Sequence, residues 1–367
     1  MNDFVIAATR SMRDYASRVA DYLTKIPRYK NFAETINGVE LLNTDRFADG
    51  EMEISVRKSV RGKDVVLFAS CSRTGDIGVE EAKIELYHAV DALKRSMAAD
   101  IIVFEPYISC SRSDRTTRRN SVGLWVHFKT LASLGVKHIV TYQLHSKISQ
   151  SMLDPSVCSL DDVPALNLLK KYLCDIYIRD MAFLEQTVRP NWAFCSVDAG
   201  GENQVLDFAN AFGAALVLGH KQRDPYRPNT IKAMNILSAE PLKDKVLWIV
   251  DDLIDTAGSV EALIKGLAVH KPREINIIAV HALFSPPAAE KLNVLIREGL
   301  LNRIIVTDTV KALALSAGKI PNIEVVPSAE LSARIIHTLM SNESMGKLML
   351  PFNAEAYLKS PNLFSAK

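Results

Sequence analysis

At 367 residues, the chain is long enough for two domains, each able to bury a core of its own. Its 44 basic and 42 acidic residues leave a net charge of +2, so the composition favours neither a nucleic acid nor a membrane as a partner. Five scattered cysteines predict neither disulfides nor a zinc site, and no apolar run reaches the roughly 20 residues of a membrane span, so we expect a cytoplasmic protein.

The first part of the chain predicts alternating strands and helices around one antiparallel hairpin. An apolar strand at 4–8 leads into a helix with one apolar face at 12–23. Apolar residues alternate at 52–56, and a turn then precedes a buried strand at 65–69. This order indicates a hairpin or flap beside a parallel core.

The stretch Phe47-Ala-Asp49-Gly-Glu51 lies just before the alternating residues at 52–56. Taken alone, its Asp-Gly pair is typical of a surface turn with incidental acids. An aromatic face beside carboxylates could also stack on a ring system and accept hydrogen bonds from an amine. The residues themselves leave both interpretations open.

A polar loop at 105–120 follows a predicted strand at 101–104 and carries four arginines in eight positions, namely Arg112, Arg115, Arg118 and Arg119. A solvated run of charges is one explanation. The alternative is a clamp on a polyphosphate, because guanidinium groups at a strand end can bind phosphate oxygens in pairs.

The next predicted strand, at 137–142, ends in Gln143-Leu144-His145. A single histidine is more often structural than functional. Its place at the carboxyl end of a strand also suits a metal ligand or a donor to phosphate.

The second half of the chain begins with a predicted helix at 161–173, and a strand at 192–197 then ends in Asp198-Ala-Gly-Gly. Tandem glycines allow the backbone to approach an anion closely, and the acid could hold Mg²⁺. A further strand runs into Lys221 and Arg223, whose side chains share one side if the chain stays extended. The alternative is a surface turn in which Lys221 and Arg223 are ordinary solvated charges.

Five apolar residues at 246–250 predict a strand buried on both faces, and a helix is expected at about 260–267. The intervening loop contains three acids and three residues suited to anion binding, namely Asp251, Asp252, Asp255, Thr256, Gly258 and Ser259. Backbone amides and hydroxyls at the helix start could grip a phosphate, while the first acids face sugar hydroxyls or hydrated Mg²⁺. Simple N-capping by Asp255 or Thr256 is the alternative.

The sequence V-D-D-L-I-D-T-A-G-S at 250–259 resembles the phosphoribosyl-binding signature of type I phosphoribosyltransferases and, more closely, of ribose-phosphate diphosphokinases. The other motifs follow the order of the diphosphokinase family over about 4–350. The resemblance implies two doubly wound, mainly parallel-sheet α/β domains of the phosphoribosyltransferase kind, at 1–160 and 161–340, with a tail at 341–367 packing on the first. It also implies that ATP and ribose 5-phosphate react, with Mg²⁺, to give phosphoribosyl pyrophosphate and AMP.

The resemblance also implies roles for individual residues. ATP would be bound by Phe47, Asp49, Glu51, Arg112, Asp114 and His145, the first three reaching the adenine across a subunit boundary in a dimer-based homo-oligomer such as a hexamer. Mg²⁺ would be held by His145 and Asp198, and catalysis would depend on Lys221, Arg223 and His145. Ribose 5-phosphate would be bound by Asp251, Asp252, Asp255, Thr256, Ala257, Gly258 and Ser259.

Three departures from the family pattern keep other functions open. Ser113 stands where the family has Gln, Gln143 where it has Asp, and Pro286 where it has Gly. A regulatory paralogue without activity would lose site residues in this way, whereas a phosphoribosyltransferase would need only the central motif. The changes near Asn120 and Pro286 further predict weak or absent activation by inorganic phosphate.

Overall fold

The computed structural model describes residues 4–30, 38–116, 119–223, 231–311 and 318–361. The chain divides into two compact units. The first unit comprises residues 1–164, 309–311 and 327–349, and the second comprises residues 165–308, 312–326 and 350–367. The described part of each unit contains its own sheet and helices.

Strands and helices alternate along most of the described chain. The strands are β1 (Phe4–Ala8), β2 (Leu42–Arg46), β3 (Met52–Val56), β4 (Asp64–Phe68), β5 (Ile101–Glu105), β6 (His138–Tyr142), β7 (Ser159–Val163), β8 (Trp192–Ser196), β9 (Ala215–Arg223), β10 (Ile231–Ser238), β11 (Val246–Ile254), β12 (Glu274–Ala282), β13 (Arg303–Thr307) and β14 (Ile323–Val326). The helices are α1 (Arg13–Thr24), α2 (Val79–Arg95), α3 (Gly123–Ser133), α4 (Leu166–Tyr177), α5 (Glu202–Phe212), α6 (Gly258–Ala268), α7 (Ala288–Arg297), α8 (Ala329–Met340), α9 (Gly346–Met349) and α10 (Ala354–Lys359).

Shorter helical turns complete the described structure. Four 3₁₀ turns lie at Arg10–Met12, Pro27–Tyr29, Lys147–Met152 and Ala199–Gly201. A helical segment with a π-helical middle runs through Met181–Phe183, Leu184–Val188 and Arg189–Asn191.

The first unit is built on a five-stranded parallel sheet in the order β1-β4-β5-β6-β7. Apolar strands such as β1 and β5 are buried along their whole length, which requires cover on both faces. Helices α2 and α3 pack on one face of this sheet. Their residues Leu86, Leu93 and Phe128 form one core with the strand residues Val65 and Val103. Strands β2 and β3 form a separate antiparallel pair, so the predicted hairpin is confirmed.

The other face of the first sheet is covered by α1 and α8. Phe68 stacks on Phe104 with a 4.8 Å centroid separation, and Tyr142 packs edge-on against Phe104. The Tyr15 hydroxyl is hydrogen-bonded to Ser332 at 2.8 Å, and the Tyr142 hydroxyl reaches the same serine at 2.6 Å. Buried hydroxyls therefore satisfy one another where α8 meets the sheet.

The second unit contains a seven-stranded sheet in the order β10-β9-β8-β11-β12-β13-β14, parallel except for the β9–β10 pair. Helices α6 and α7 cover one face, where Leu263 and Leu292 pack with Leu247 and Ile277 and are fully buried. Each such leucine contributes about 1.5–3 kcal/mol to folding. Helix α5 covers the opposite face, where Phe212 stacks on Phe194 at 5.4 Å.

The structure corrects two sequence-based expectations. Residues 161–163 belong to β7, and the helix predicted at 161–173 begins only at Leu166, after Pro164. Residues 159–163 form a strand because they pair with β6. The His138 imidazole of β6 is also hydrogen-bonded to the side chains of Ser159 and Asp161. In addition, β11 continues through Asp251 and Asp252 to Ile254, so these acids lie in the strand and not in the following loop.

All five cysteines are buried and free. Burial raises the pKa of each thiol, to about 12 for Cys110 and Cys174 and to about 11 for Cys158. Among the described residues, no helix combines the length and the apolar character that crossing a bilayer requires.

Candidate active site

The order of strands reverses direction in the second unit between β8 and β11. From β8 the chain passes first to β9 on one side, and later to β11 on the other side. Open α/β sheets bind ligands outside the carboxyl ends of strands at such a switch point, because the flanking loops diverge there. The residues that follow β8 and β11 therefore lie at the expected place for a site.

Three carboxylates from the predicted set lie at this switch point, near enough for their charges to influence one another. Asp252 is buried, and its backbone N–H donates to the Asp251 carboxylate at 2.9 Å. Asp198 follows β8 and accepts a hydrogen bond from the N–H of Gly200 at 3.0 Å. Desolvation raises the pKa of Asp251, and the charges of Asp252 and Asp198 raise it further. The cluster therefore has an excess of negative charge that a cation would relieve.

The segment 251–259, which we call the switch-point loop, ends in a left-handed turn. Ala257 has φ 57° and ψ 10°, is buried, and directly precedes the first residue of α6, Gly258. A non-glycine residue in this conformation costs about 1 kcal/mol or more. A left-handed residue directly before a helix is typical of the backbone nests whose N–H groups bind anions. Thr256 is exposed, whereas Asp255 and Ser259 are partly buried beside it.

Strand β9 passes very close to the end of β8 on its way to Lys221 and Arg223. A Cβ atom on Gly219 would lie 2.5 Å from the Ser196 carbonyl oxygen, so no larger residue fits without moving the strand. The backbone of Lys221 pairs with Met234, and that of Arg223 pairs with Ile231. The structure describes these two residues only through their backbone, and residues 224–230 lie outside the described part.

The tip of the β2–β3 hairpin carries Phe47, Asp49 and Glu51 in the first unit. The Phe47 ring is 53% exposed, which is unusual for a large aromatic side chain. A tight turn holds the tip, because the Phe47 N–H donates to the Glu51 carbonyl at 2.9 Å and the Glu51 N–H donates to the Asp49 carboxylate at 3.0 Å. Arg46 donates to the Gly50 carbonyl at 2.7 Å and forms an ion pair with Glu81 of α2.

The segment 105–120, which we call the arginine loop, follows β5 in the first unit. Arg112 is exposed and Asp114 is partly buried. The hydroxyl of Ser113, at the position where the resemblance leads us to expect Gln, accepts a hydrogen bond from the Gly123 N–H at 2.9 Å. This serine therefore fixes the loop to the start of α3.

A buried chain of polar side chains lies at the base of the arginine loop. The Tyr87 hydroxyl of α2 is 2.9 Å from Nδ1 of His127, whose Nε2 is 2.6 Å from the Glu105 carboxylate. The side chains of Glu105 and His127 are only 0% and 2% exposed. Glu105 also contributes, after burial itself, to raising the pKa of the Cys71 and Cys110 thiols. Side chains distant in sequence thus support this loop.

His145 is exposed at the carboxyl end of β6, and the residues before it are held by the neighbouring strand. Gln143 has φ 45° and donates its N–H to the Val163 carbonyl at 3.1 Å. The Leu144 N–H donates to the Asp162 carboxylate at 2.9 Å. Burial raises the pKa of Asp162 to about 6.

His145 belongs to the first unit and Asp198 to the second. Within the described ranges, no group of three or more His, Cys, Asp or Glu side chains is arranged to enclose a metal ion. An Mg²⁺ ion does not require such an enclosure, since it usually takes one or two carboxylates and completes its shell with water and substrate phosphate.

Sequence reasoning did not identify the Tyr87–His127–Glu105 chain or Asp162. Glu105 closes an otherwise apolar strand and His127 interrupts an apolar stretch of α3, so both were visible as isolated polar residues. Only the fold brings them together, because they lie on different elements.

Comparisons with known proteins find relatives that match most of the chain. The family model described as the N-terminal domain of ribose phosphate pyrophosphokinase matches residues 4–135. A ribose-phosphate pyrophosphokinase of Fusobacterium nucleatum is 30% identical over 304 residues, which cover 83% of this chain and 88% of that relative. One from Campylobacter jejuni is 28% identical over 345 residues, covering 92% of this chain and all of the relative (100%).

A solved structure is similar over nearly the same extent. The crystal structure of phosphoribosylpyrophosphate synthetase from Mycobacterium smegmatis matches with a TM-score of 0.76 at 23% sequence identity. The match covers 93% of this chain and 100% of that one. At this level of identity the likeness bears on the fold, and the two-domain α/β fold expected from the sequence is confirmed.

Proposed function

The chain belongs to the family of ribose-phosphate pyrophosphokinases, and on that premise we propose how its residues divide the work of the reaction. The protein is an enzyme that makes phosphoribosyl pyrophosphate from ribose 5-phosphate. In our proposal the anomeric hydroxyl oxygen attacks the β-phosphorus of ATP. A new bond forms between that oxygen and phosphorus, the bond from the β-phosphorus to the bridging oxygen of AMP breaks, and the hydroxyl proton is lost.

One observation carries the assignment of the sugar side, namely that Asp198, Asp251 and Asp252 meet beside an anion-binding helix start at the switch point. We propose that the backbone amides and hydroxyls of 255–259 bind the 5-phosphate. Asp251 and Asp252, one short segment earlier, bind the ribose hydroxyls. Carboxylates beside the phosphate itself would repel it, which supports this division.

We propose that Mg²⁺ is the cofactor. The fit is chemical, since the carboxylate oxygens of the switch point are the hard ligands that Mg²⁺ prefers. Burial, together with the charges of Asp252 and Asp198, already raises the pKa of Asp251. When bound, Mg²⁺ neutralises charge on the ATP phosphates. Asp198 of the second unit and His145 of the first are the residues we assign to it.

For the nucleotide side, we propose that Phe47, Asp49 and Glu51 bind the adenine of an ATP held by another subunit, because the hairpin tip presents an exposed ring. Arg112, Asp114 and His145 would bind ATP within the first unit. Lys221 and Arg223 would neutralise the charge that develops on the transferring group. Catalysis of this kind consists largely of positioning and electrostatic stabilisation.

We propose a division of labour in which the first unit, expected at 1–160, is the ATP-side domain and the second, expected at 161–340, is the sugar-phosphate domain. The structure corrects the expected bounds, since residues 327–349 belong to the first unit. The tail at 341–367 does not pack as a whole on the first unit, because residues 350–367 belong to the second, where the Tyr357 hydroxyl donates to Asp175 at 2.6 Å. An adenine site shared between subunits requires a homo-oligomer, which we propose to be dimer-based. Free, buried thiols suit a reducing compartment, so we place the enzyme in the cytoplasm.

The decisive experiment measures AMP formed from ATP and Mg²⁺, with and without ribose 5-phosphate. We expect AMP to depend strictly on the sugar phosphate and to fall by about 100-fold or more in Lys221→Ala, because one stabilising cation is lost. Lys129→Ala, which removes an exposed lysine of α3, is the matched control and should keep full activity.

Two outcomes would overturn the proposal. Folded, oligomeric protein that forms no AMP would indicate a regulatory paralogue. Pyrophosphate release that depends on a nucleobase, without AMP, would indicate a phosphoribosyltransferase.

A further inference from the structure

One lysine that no motif includes lies directly against the switch-point loop. Lys291 belongs to the first turns of α7, and its Nζ is 3.3 Å from the position that a Cβ atom on Gly258 would occupy. The Lys291 side chain is only 32% exposed. Because Gly258 has no side chain, the ammonium group can approach the backbone of the first residue of α6.

The fold fixes Lys291 in this place through contacts on either side of it. The N–H groups of Leu283 and Phe284, which follow β12, both donate to the Ile254 carbonyl at 3.0 Å. These bonds tie the loop that leads into α7 to the last residue of β11, which lies within the switch-point loop. Leu292, the neighbour of Lys291, is fully buried in the same core as Leu263 of α6. Helix α7 is therefore held beside the start of α6.

Lys291 shares one carboxylate, that of Glu261, with a second lysine. Glu261, in the first turn of α6, accepts from Lys265 at 2.8 Å and lies 3.3 Å from Lys291. The hydrogen bond from Lys265 is the main cause of the lowered pKa of Glu261, and Lys291 is a smaller one. Lys265 lies one helical turn farther from the loop than Glu261. Lys265 thus makes the shorter contact to Glu261, whereas the ammonium group of Lys291 lies both near Glu261 and beside the first residue of α6.

We propose that Lys291 is a further substrate-binding residue, whose ammonium group binds the 5-phosphate of ribose 5-phosphate together with the amides of the switch-point loop. This inference rests on the function proposed above. A phosphate monoester is mostly a dianion above about pH 6. The helix start alone supplies roughly half a unit of positive charge. A lysine at the same place supplies a full charge and so favours the phosphorylated sugar over the free one.

The test compares two lysines that share one carboxylate. Lys291→Met keeps the length and most of the apolar contacts of the side chain but removes its charge. We expect the KM for ribose 5-phosphate to rise tenfold or more, while the KM for ATP stays within twofold. Lys265→Met is the matched control, because it breaks the stronger contact to Glu261 away from the loop, and both KM values should stay within twofold. An unchanged KM for ribose 5-phosphate in Lys291→Met would overturn the proposal.

A second pair of variants separates direct binding from screening of Glu261. If Lys291 binds the phosphate directly, the double variant Lys291→Met with Glu261→Gln keeps the tenfold rise in KM. Glu261→Gln alone should leave the KM for ribose 5-phosphate equal or lower. Recovery of the wild-type KM in the double variant would contradict the proposal, since Lys291 would then act only by neutralising Glu261.

A binding measurement in the absence of ATP, where no reaction can occur, separates the test of Lys291 from the test of the proposed function. Calorimetric titration of the wild type and Lys291→Met with ribose 5-phosphate, in the absence of ATP, should show at least tenfold weaker binding to the variant. If the wild type forms no AMP yet shows this difference, the proposed function fails and the assignment of Lys291 stands. If the wild type forms AMP and the two proteins bind the sugar phosphate equally, the assignment of Lys291 fails alone.

Discussion

The switch-point loop of the second unit and the arginine loop of the first unit are built on different principles. The switch-point loop is a single strand, turn and helix start, shaped by the backbone conformation of Ala257. The arginine loop is fixed to α3 by Ser113 and lies above a chain of buried side chains from Tyr87 to Glu105. The first arrangement depends on consecutive residues, whereas the second depends on side chains that are brought together only by folding.

This difference determines how each loop can fail. A loop shaped by backbone conformation tolerates changes of charge nearby but not a residue that resists the left-handed turn. A loop supported by a buried ionisable pair tolerates changes at its exposed residues but not the removal of one buried partner, which leaves the other without compensation. Each of the following variants tests one side of this contrast.

The largest effect is expected from Glu105→Ala. Removing one member of a fully buried hydrogen-bonded pair leaves His127 uncompensated and should lower the free energy of unfolding by about 3–5 kcal/mol. Urea unfolding measures this change, and the KM for ATP should rise because the arginine loop loses its support. Glu80→Ala, which removes an exposed acid of α2, is the control and should change stability by less than about 1 kcal/mol. Equal stabilities of the two variants would refute the importance of the buried chain.

The corresponding test of the switch-point loop is Ala257→Val. A β-branched residue is strained at φ 57°, so the loop should change shape and lose about 2–3 kcal/mol of substrate binding, seen as a fall of roughly 30- to 150-fold in kcat/KM for ribose 5-phosphate. Ala257→Gly, which adopts this conformation freely, should remain close to the wild type. If both variants lost activity equally, the side chain at 257 would matter rather than the backbone.

Asp162 of β7 supports a third loop, the one that carries His145. Its carboxylate accepts a hydrogen bond from the Leu144 N–H and so holds the backbone just before His145. Its pKa, about 6 in the folded protein against 3.8 as the ordinary value, means that folding favours the protonated form. This stabilising contribution is present below about pH 4 and is lost as the pH rises through 6, at a cost of about 3 kcal/mol. As the pH rises from 4 to 6, the free energy of unfolding of Asp162→Asn should therefore increase relative to that of the wild type. Above pH 7 the difference between the two proteins should be constant.

Unfolding free energies of wild type and Asp162→Asn at half-unit steps from pH 4 to 8 measure this difference. Asp91→Asn, which changes an exposed acid of α2, should show no such rise. A stability difference for Asp162→Asn that is independent of pH would contradict the expected titration.

The smallest effect is expected from Asn276→Leu, a buried polar position in the second unit. The Asn276 side chain is fully buried on β12, and neither polar atom of its amide has a hydrogen-bond partner among the described residues. Leucine should raise the free energy of unfolding by about 1 kcal/mol, because an unsatisfied buried amide is costly. AMP formation should be unchanged. A loss of stability would show instead that bound water satisfies the amide.

The same contrast explains which parts of the molecule the sequence could predict. The hairpin strand at 52–56 and the buried strand before Asp251 have strong periodic signals, and both were predicted close to their observed places. The first strand of the hairpin, β2, has no such pattern and was not predicted. Strand β7 was missed because S-L-D-D-V has no apolar run, and its conformation depends on pairing with β6 and on the bonds from His138. Tertiary pairing overrode the local pattern there.

The candidate site follows the same rule. The switch-point motif is contiguous, so its chemistry could be inferred from residue order alone. Lys291 could not be found in this way, since it reaches Gly258 from a different helix, and the buried chain below the arginine loop draws on α2, α3 and β5. Sites formed by long-range packing leave no local pattern in the sequence.

The five buried thiols make the folded protein a convenient object for fluorescence labelling. A thiol-reactive dye modifies an exposed thiolate, and burial both covers these thiols and raises their pKa. A single cysteine introduced at the exposed position Glu53 of the hairpin would therefore carry the dye alone. The spectrum of such a protein would report the surroundings of the hairpin as nucleotide is added, without the need to remove any native cysteine.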